Sequence, residues 1–326
     1  LTITKHDLHY QFKSEVTAMP GGELVNRCFE CGACTGICPV SQGEPAFDPR
    51  KILHMVKLGL KDRLLRSGAL WYCSHCDTCK FVCPQDVVFS GIADVLREMA
   101  VREGYVDIGI LEAIGKLPAL STGKCMGCLI CLRICPFKAP SIKEKGLGFI
   151  EFDPLKCRAC GICVAECPGE AIVLKKPATG QSSTFEEPLG PVFAPKIIMF
   201  CCQYVIGNRF SDPEGHYVSA FPKNVRLEVV PCTGELKVTR LLGVFEEQAD
   251  GVCVVGCEEE ACHNLTGSHR AKKRVEYVKK ALSKLEIDPE RIEIFMVPRD
   301  QPDRFMEVSR AMNKRVKMLG PSPLRR

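Results

Sequence analysis

Long apolar runs are missing from this chain: no stretch of eighteen hydrophobic residues occurs, and the segment around Ile197 to Phe200 is interrupted within a few positions. A membrane-crossing helix needs about 20 such residues, so no membrane-spanning segment is expected. Aromatic residues are only 7% of the sequence and do not interleave with basic ones. That argues against a groove on which bases stack, and no nucleic-acid partner is expected. No GxGxxG opens a helix after a strand and no GxxxxGK(S/T) occurs, so neither a dinucleotide site nor a phosphate loop is signalled. The opening residues lack a basic stretch followed by an apolar one, and the expectation is a reducing, cytoplasmic setting.

What the chain has in excess is cysteine, 22 in 326 residues. Sixteen fall into four runs with one spacing, C-x2-C-x2-C-x3-C-P: CFECGACTGICP, CSHCDTCKFVCP, CMGCLICLRICP and CRACGICVAECP. Three cysteines separated by two residues let one tight loop wrap three corners of a cubane, and the fourth cysteine of such a run ligates the neighbouring cluster. The expected sets are therefore crossed. Cys28, Cys31, Cys34 and Cys83 hold one [4Fe–4S] cluster, and Cys73, Cys76, Cys79 and Cys38 hold its neighbour. Cys125, Cys128, Cys131 and Cys167 hold a third, and Cys157, Cys160, Cys163 and Cys135 a fourth.

Zinc also uses C-x2-C pairs, but it needs two pairs rather than triplets, and each run here carries the following proline, Pro39, Pro84, Pro136 or Pro168. Gly32, Gly127 and Gly161 lie between ligands, where small residues permit close backbone approach. His75 and Asp77 sit in the second run and read as solvated loop residues. The formal charge of +5 treats cysteine as neutral. Each cluster with four thiolates adds about −2, so the loaded protein is expected to be acidic.

The spacers divide the chain further. Ile52, Met55, Val56 and Leu60 recur at helical spacing, and Val87 to Arg102 reads as a helix. In the second pair of runs, GFIEFDPLKC and AIVLKK read as short strands and turns. After a Pro, Gly and Ser-rich linker, KIIMF, VRLEVV, GVCVV and IEIFMV alternate with helical stretches, which implies a parallel α/β sheet. Within HRAKKRVEYVKKALSKL, Val275, Val278, Leu282 and Leu285 are expected to face that sheet.

The expected architecture is a multidomain α+β chain. A helical ferredoxin covers residues 1–112, a βαβ-type two-cluster ferredoxin 113–177, a linker 178–195, and an α/β parallel-sheet domain 196–326.

Six cysteines remain. Cys253 lies inside a strand and reads as a buried small hydrophobe. Cys201, Cys202, Cys232, Cys257 and Cys262 follow strand ends, so they converge on the edge where parallel sheets bind cofactors. Five candidates for four positions suit one [2Fe–2S] centre, with zinc, free thiols or a His263-containing variant as alternatives.

These motifs resemble three known families. Residues 20 to 105, with CFECGACTGICP and WYCSHCDTCKFVCP, resemble the C subunit of heterodisulfide reductase, and residues 116 to 176 resemble a two-cluster bacterial ferredoxin. From Lys196 on, FCCQY, PCTGE, ADGVCVVGCEEEACH and HRAKKRVEYVK are similar to the delta subunit of methyl-viologen-reducing hydrogenase. That family carries a further cysteine where this chain has Val205, and commonly an arginine where it has Glu235.

The resemblance implies an iron–sulfur subunit, non-catalytic by itself, in a flavin-based electron-bifurcating or confurcating complex of anaerobic metabolism. Its implied partners are a flavin-containing heterodisulfide-reductase-A-like subunit, a B-like or other catalytic subunit, and a hydrogenase or formate dehydrogenase. The competing reading is a disulfide-reducing enzyme acting at an unusual C-terminal cluster.

Overall fold

The computed structural model describes residues 7–38, 40–41, 44, 46–143, 150–175, 193–206, 222, 224–298, 301 and 303–325. Nearly all of the expected linker, and Pro39, lie outside the described residues. The chain forms two compact units. One takes the described residues of Leu1–Ala119, Phe152–Arg158 and Leu174–Pro177, and the other those of Leu120–Glu151, Ala159–Val173 and Ala178–Arg326.

The first unit is helical. Its helix Pro49–Leu58 starts where the Asp48 carboxylate accepts the Lys51 amide, with proline in the first turn, and stops at Gly59 in a left-handed conformation. Ile52, Leu53 and Val56 point into the core. The longer helix Phe89–Arg102 is buried along Phe89, Ile92, Val95, Leu96 and Met99, and each such side chain contributes about 1.5–3 kcal/mol on burial. Between Ala119 and Val173 the chain makes two small sheets: β1 (Ala119–Leu120) pairs with β4 (Ile172–Val173), and β2 (Pro140–Ile142) with β3 (Ile150–Phe152).

The C-terminal part is a four-stranded sheet of β5 (Ile197–Cys202), β6 (Val225–Val230), β7 (Gly251–Gly256) and β8 (Ile292–Met296), in the order β6-β5-β7-β8 and parallel throughout. β5 and β7 are buried along their whole length, as strands covered on both faces must be. One face packs Ile197, Met199 and Cys201 against Phe305, Met312 and Val316 of the helix Asp303–Leu319. The other packs Ile198, Phe200, Val252 and Val254 against the helices Val238–Glu246 and Gly267–Lys284.

Val275, Val278 and Leu282 face the sheet as expected, but Leu285 does not. The helix ends at Lys284, so Leu285 becomes its C-cap and is 65% exposed. At the edge opposite the strand C-termini, the fully buried Asp250 accepts the amides of Lys196 and Ser322 and a bond from Arg325. Arg291 donates to the carbonyls of Asp250, Leu319, Gly320 and Pro321, which fastens the C-terminal segment to the sheet.

Candidate metal centres

All four cysteine runs fold into one backbone shape. The residues immediately before and after the second cysteine take positive φ in every run: Glu30 and Gly32, His75 and Asp77, Gly127 and Leu129, Ala159 and Gly161. Five of these eight are not glycine, and a left-handed non-glycine residue costs about 1–2 kcal/mol, so the repetition marks an imposed geometry. Alternating right- and left-handed residues turn successive N–H groups toward one concavity, the form that anions and iron–sulfur clusters occupy. The third residue past the last cysteine is also left-handed in three runs, at Asp86, Lys138 and Glu170. There the next amide turns back to sulfur: Val87 donates to Cys83 Sγ and Ala171 to Cys167 Sγ, each at 3.3 Å.

The runs meet crosswise where the cavities are defined. Cys28, Cys31, Cys34 and Cys83 line one cavity, and Cys125, Cys128, Cys131 and Cys167 line another. Among the neighbours of Cys79 are Cys76 and Cys38, which push its thiol pKa further in the upward direction that burial sets. Burial pushes Cys34 up to about 11 and Cys73 up to about 12. Such thiols resist ionising unless a cation replaces the proton, which is the coupling expected of a cluster ligand. Ile134 and Phe137, on either side of Cys135 in sequence, pack against the buried Cys160 and Ile162. Among the described residues no three His, Cys, Asp or Glu side chains form a single-ion site. In the two sets with a defined cavity the loop thiols instead line a concavity.

Three side chains, Arg97, Asp94 and Ser90, support the second run. Arg97 is buried and donates from Nε and Nη2 to the Leu70 carbonyl at 3.0 and 2.8 Å, and from Nη2 to the Cys73 carbonyl at 2.9 Å. His75 and Asp77 are not free in solvent. His75 lies 2.7 Å from Asp94 and Asp77 accepts the Ser90 hydroxyl, because their left-handed backbone turns both side chains back onto the helix Phe89–Arg102.

At the C-terminal edge of the sheet a second kind of donor set appears. Cys202 ends β5, Cys232 follows β6, and Cys257 follows β7. Cys202 Sγ lies 3.8 Å from Cys257 Sγ. Cys257 in turn hydrogen-bonds Cys262, and Cys262 hydrogen-bonds Cys232, so four buried thiols form a continuous set. Bonds from Cys232 and Cys257, with Ser268 adding to them, hold the Cys262 thiol far below its ordinary range. Cys257 is pushed up by proton sharing with Cys202 and Cys262, and Cys232 by sharing with Cys262.

Cys201 stands apart from this set. Its Sγ donates to the Cys202 carbonyl, and burial pushes its thiol up. Val205 is buried beside the set, and His263 stacks on Tyr204 with ring centres 3.7 Å apart.

Gly267 completes the cradle. A Cβ there would stand 2.2 Å from Cys232 Sγ, so only glycine lets the helix Gly267–Lys284 start against the thiols. An 18-residue helix placed this way presents its positive end to developing thiolate charge. Sequence reasoning missed Gly267, Arg97 and Ser268. A glycine opening a basic helix just after the last cysteine was the one available signal.

Nest-forming cysteine loops carried in one chain with a doubly covered parallel sheet define a modular iron–sulfur electron-transfer subunit. Residues 24–87 and 124–182 each match a 4Fe-4S dicluster domain, which together imply four [4Fe–4S] clusters, and 197–320 match "Methyl-viologen-reducing hydrogenase, delta subunit". The vhu iron–sulfur D subunit of the F420-non-reducing hydrogenase of Methanocaldococcus jannaschii is 37% identical over 131 residues, covering 40% of this chain and 97% of that protein. The C subunit of the H(2):CoB-CoM heterodisulfide,ferredoxin reductase of Methanothermobacter thermautotrophicus is 33% identical over 104 residues, 32% of this chain and 55% of that one. The chain belongs to the methyl-viologen-reducing hydrogenase delta-subunit family, with two dicluster modules preceding the family's own domain. No helix among the described residues is long and apolar enough to cross a membrane.

Proposed function

We propose that the chain is a non-catalytic electron conduit of a flavin-based bifurcating or confurcating complex. It relays single electrons among a hydrogenase- or formate-dehydrogenase-type donor, a flavin-containing heterodisulfide-reductase-A-like subunit and a B-like or other catalytic subunit. The relatives that match its two ends, one from a hydrogenase and one from a heterodisulfide reductase, support that reading. In it the three-part division at residues 112, 177 and 195 separates modules of different origin, and the setting is cytoplasmic.

The ligand sets follow the crossed arrangement given above, supported by the cavities that Cys83 shares with Cys28, Cys31 and Cys34, and Cys167 with Cys125, Cys128 and Cys131. The C-terminal [2Fe–2S] centre takes Cys202, Cys232, Cys257 and Cys262, with Cys201 held in the sheet. When bound, the clusters supply reversible one-electron carriage near constant geometry. The protein's part is to aim amides at sulfur, exclude water and fix spacing.

The carrying observation is the four-thiol set, since Cys202, Cys232 and Cys257 are each only 2% exposed and Cys262 8%, which leaves a disulfide substrate little sulfur surface to meet. Native co-purification tests the reading: hydrogenase- or formate-dehydrogenase-type and flavin-containing subunits should remain bound. Substituting Cys257 and Cys262 by alanine should stop donor-to-flavin transfer while the cubanes stay reducible. Cluster-dependent disulfide reduction by the chain alone would count against it.

A further inference from the structure

The second cysteine run of the ferredoxin module and the C-terminal thiol set touch within one compact unit. Cys160, Ile162 and Cys232 form a single buried apolar cluster, and Cys160 is an electrostatic neighbour of the Cys232 thiol. Glycines on both sides make the approach possible. A Cβ on Gly234 would lie 3.1 Å from Ile162 Cγ1, and a Cβ on Gly161 would lie 2.6 Å from Glu235 Oε2.

Charged residues bracket this contact. Arg274 Nη1 donates to the carbonyls of Gly234 and Leu236 at 2.7 and 2.9 Å, while its Nη2 donates to Glu166 Oε1. Arg270 reaches the same carboxylate oxygen at 3.2 Å, and Lys237 pairs with Glu170 at 2.6 Å. The Arg274 side chain is only 12% exposed, so its charge is poorly screened and has two carbonyls and a carboxylate to satisfy it.

We propose that Glu166, Arg274 and Arg270 are positioning residues that clamp the Cys160 segment onto the Cys232 segment, making this contact the crossing by which electrons pass between the ferredoxin module and the C-terminal domain. This rests on the two-iron reading of the C-terminal set. The crossing moves one electron at a time: the centre on one side is oxidised by one equivalent and the centre on the other reduced by one. No bond forms or breaks, no proton is transferred, and a low-potential one-electron reductant supplies the electron in the test. A clamp built from a forked arginine fixes separation and orientation, on which such a transfer depends more steeply than on overall stability.

The test uses the full cluster-loaded chain, purified without oxygen. In the unmodified protein, pulsed EPR of the partly reduced sample should show the two-iron signal relaxing fast through magnetic interaction with a neighbouring cubane. Glu166→Gln and Arg274→Gln should retain the iron content and the separate spectra yet slow freeze-quenched electron exchange between them by about tenfold or more. Both spectra present without magnetic interaction, or unchanged exchange in both variants, overturns the clamp alone. Absence of any two-iron spectrum in the unmodified chain overturns the C-terminal reading and the clamp with it. If a variant fails to load its clusters, the interaction in the unmodified chain decides the question.

Discussion

The four cysteine loops and the C-terminal thiol set solve the same problem by opposite means. Each loop brings three thiols together within seven residues and repeats one backbone pattern of left-handed positions, so the site is written locally. The C-terminal set gathers Cys202, Cys232 and Cys257 from the ends of three strands and Cys262 from the loop after the third, and closes them under a helix N-terminus, so it exists only when the sheet does. A local site tolerates change elsewhere in the fold, whereas a site at a sheet edge inherits every error in register.

The sharpest way to break the comparison is Gly267→Val. The added side chain collides with Cys232 Sγ, and overpacking at a buried position has no room to relax. The two-iron spectrum should vanish while the four cubane spectra persist in EPR and Mössbauer measurements. Within the first unit, Arg97→Met should have the next largest effect. It strands the Leu70 and Cys73 carbonyls, and chemical denaturation should report a loss of about 2–4 kcal/mol with the C-terminal domain unaffected.

Cys83→Ser sharpens the contrast within the loops themselves. It should alter the centre proposed for Cys28, Cys31 and Cys34, whose cavity Cys83 also lines, and leave both proposed clusters of the second dicluster module spectroscopically intact. Changes confined to the Cys73, Cys76 and Cys79 centre would instead show uncrossed ligation.

The smallest effect concerns acid. Burial pushes Glu293 up, but bonds from Lys279, the Ile294 amide and Arg315 outweigh it and hold the carboxyl below its ordinary 4.5. A depressed carboxyl contributes stability that is present above the unfolded-state value and is lost as pH falls through the lower folded-state value. Acid titration of unfolding should therefore show the sheet domain weakening below about pH 4.5, and Glu293→Gln should flatten that slope.

The same contrast explains what the sequence made legible. The four cysteine loops were readable as repeats because their spacing recurs as one backbone shape, and the strands of the C-terminal sheet because KIIMF, VRLEVV and GVCVV are apolar runs between turns. The choice between Cys201 and Cys202 was not readable. Adjacent strand residues point to opposite faces, and only the sheet's end tells which one meets Cys257. Gly267 and Arg97 were hidden for a related reason, since each acts on a partner 35 or 24 residues away in sequence. His75 looked solvated because spacing says nothing of φ, and its left-handed turn is what carries the ring to Asp94.

On this reading four cubanes and one two-iron centre share one chain. Iron and acid-labile sulfide, quantified together with Mössbauer spectra of anaerobically purified protein, test it most directly. The expected result is about eighteen iron atoms per chain, with roughly one-ninth of them in a two-iron environment that disappears in the Cys257→Ala, Cys262→Ala variant. Stoichiometric zinc with little sulfide, or a two-iron signal that survives that double substitution, would contradict it.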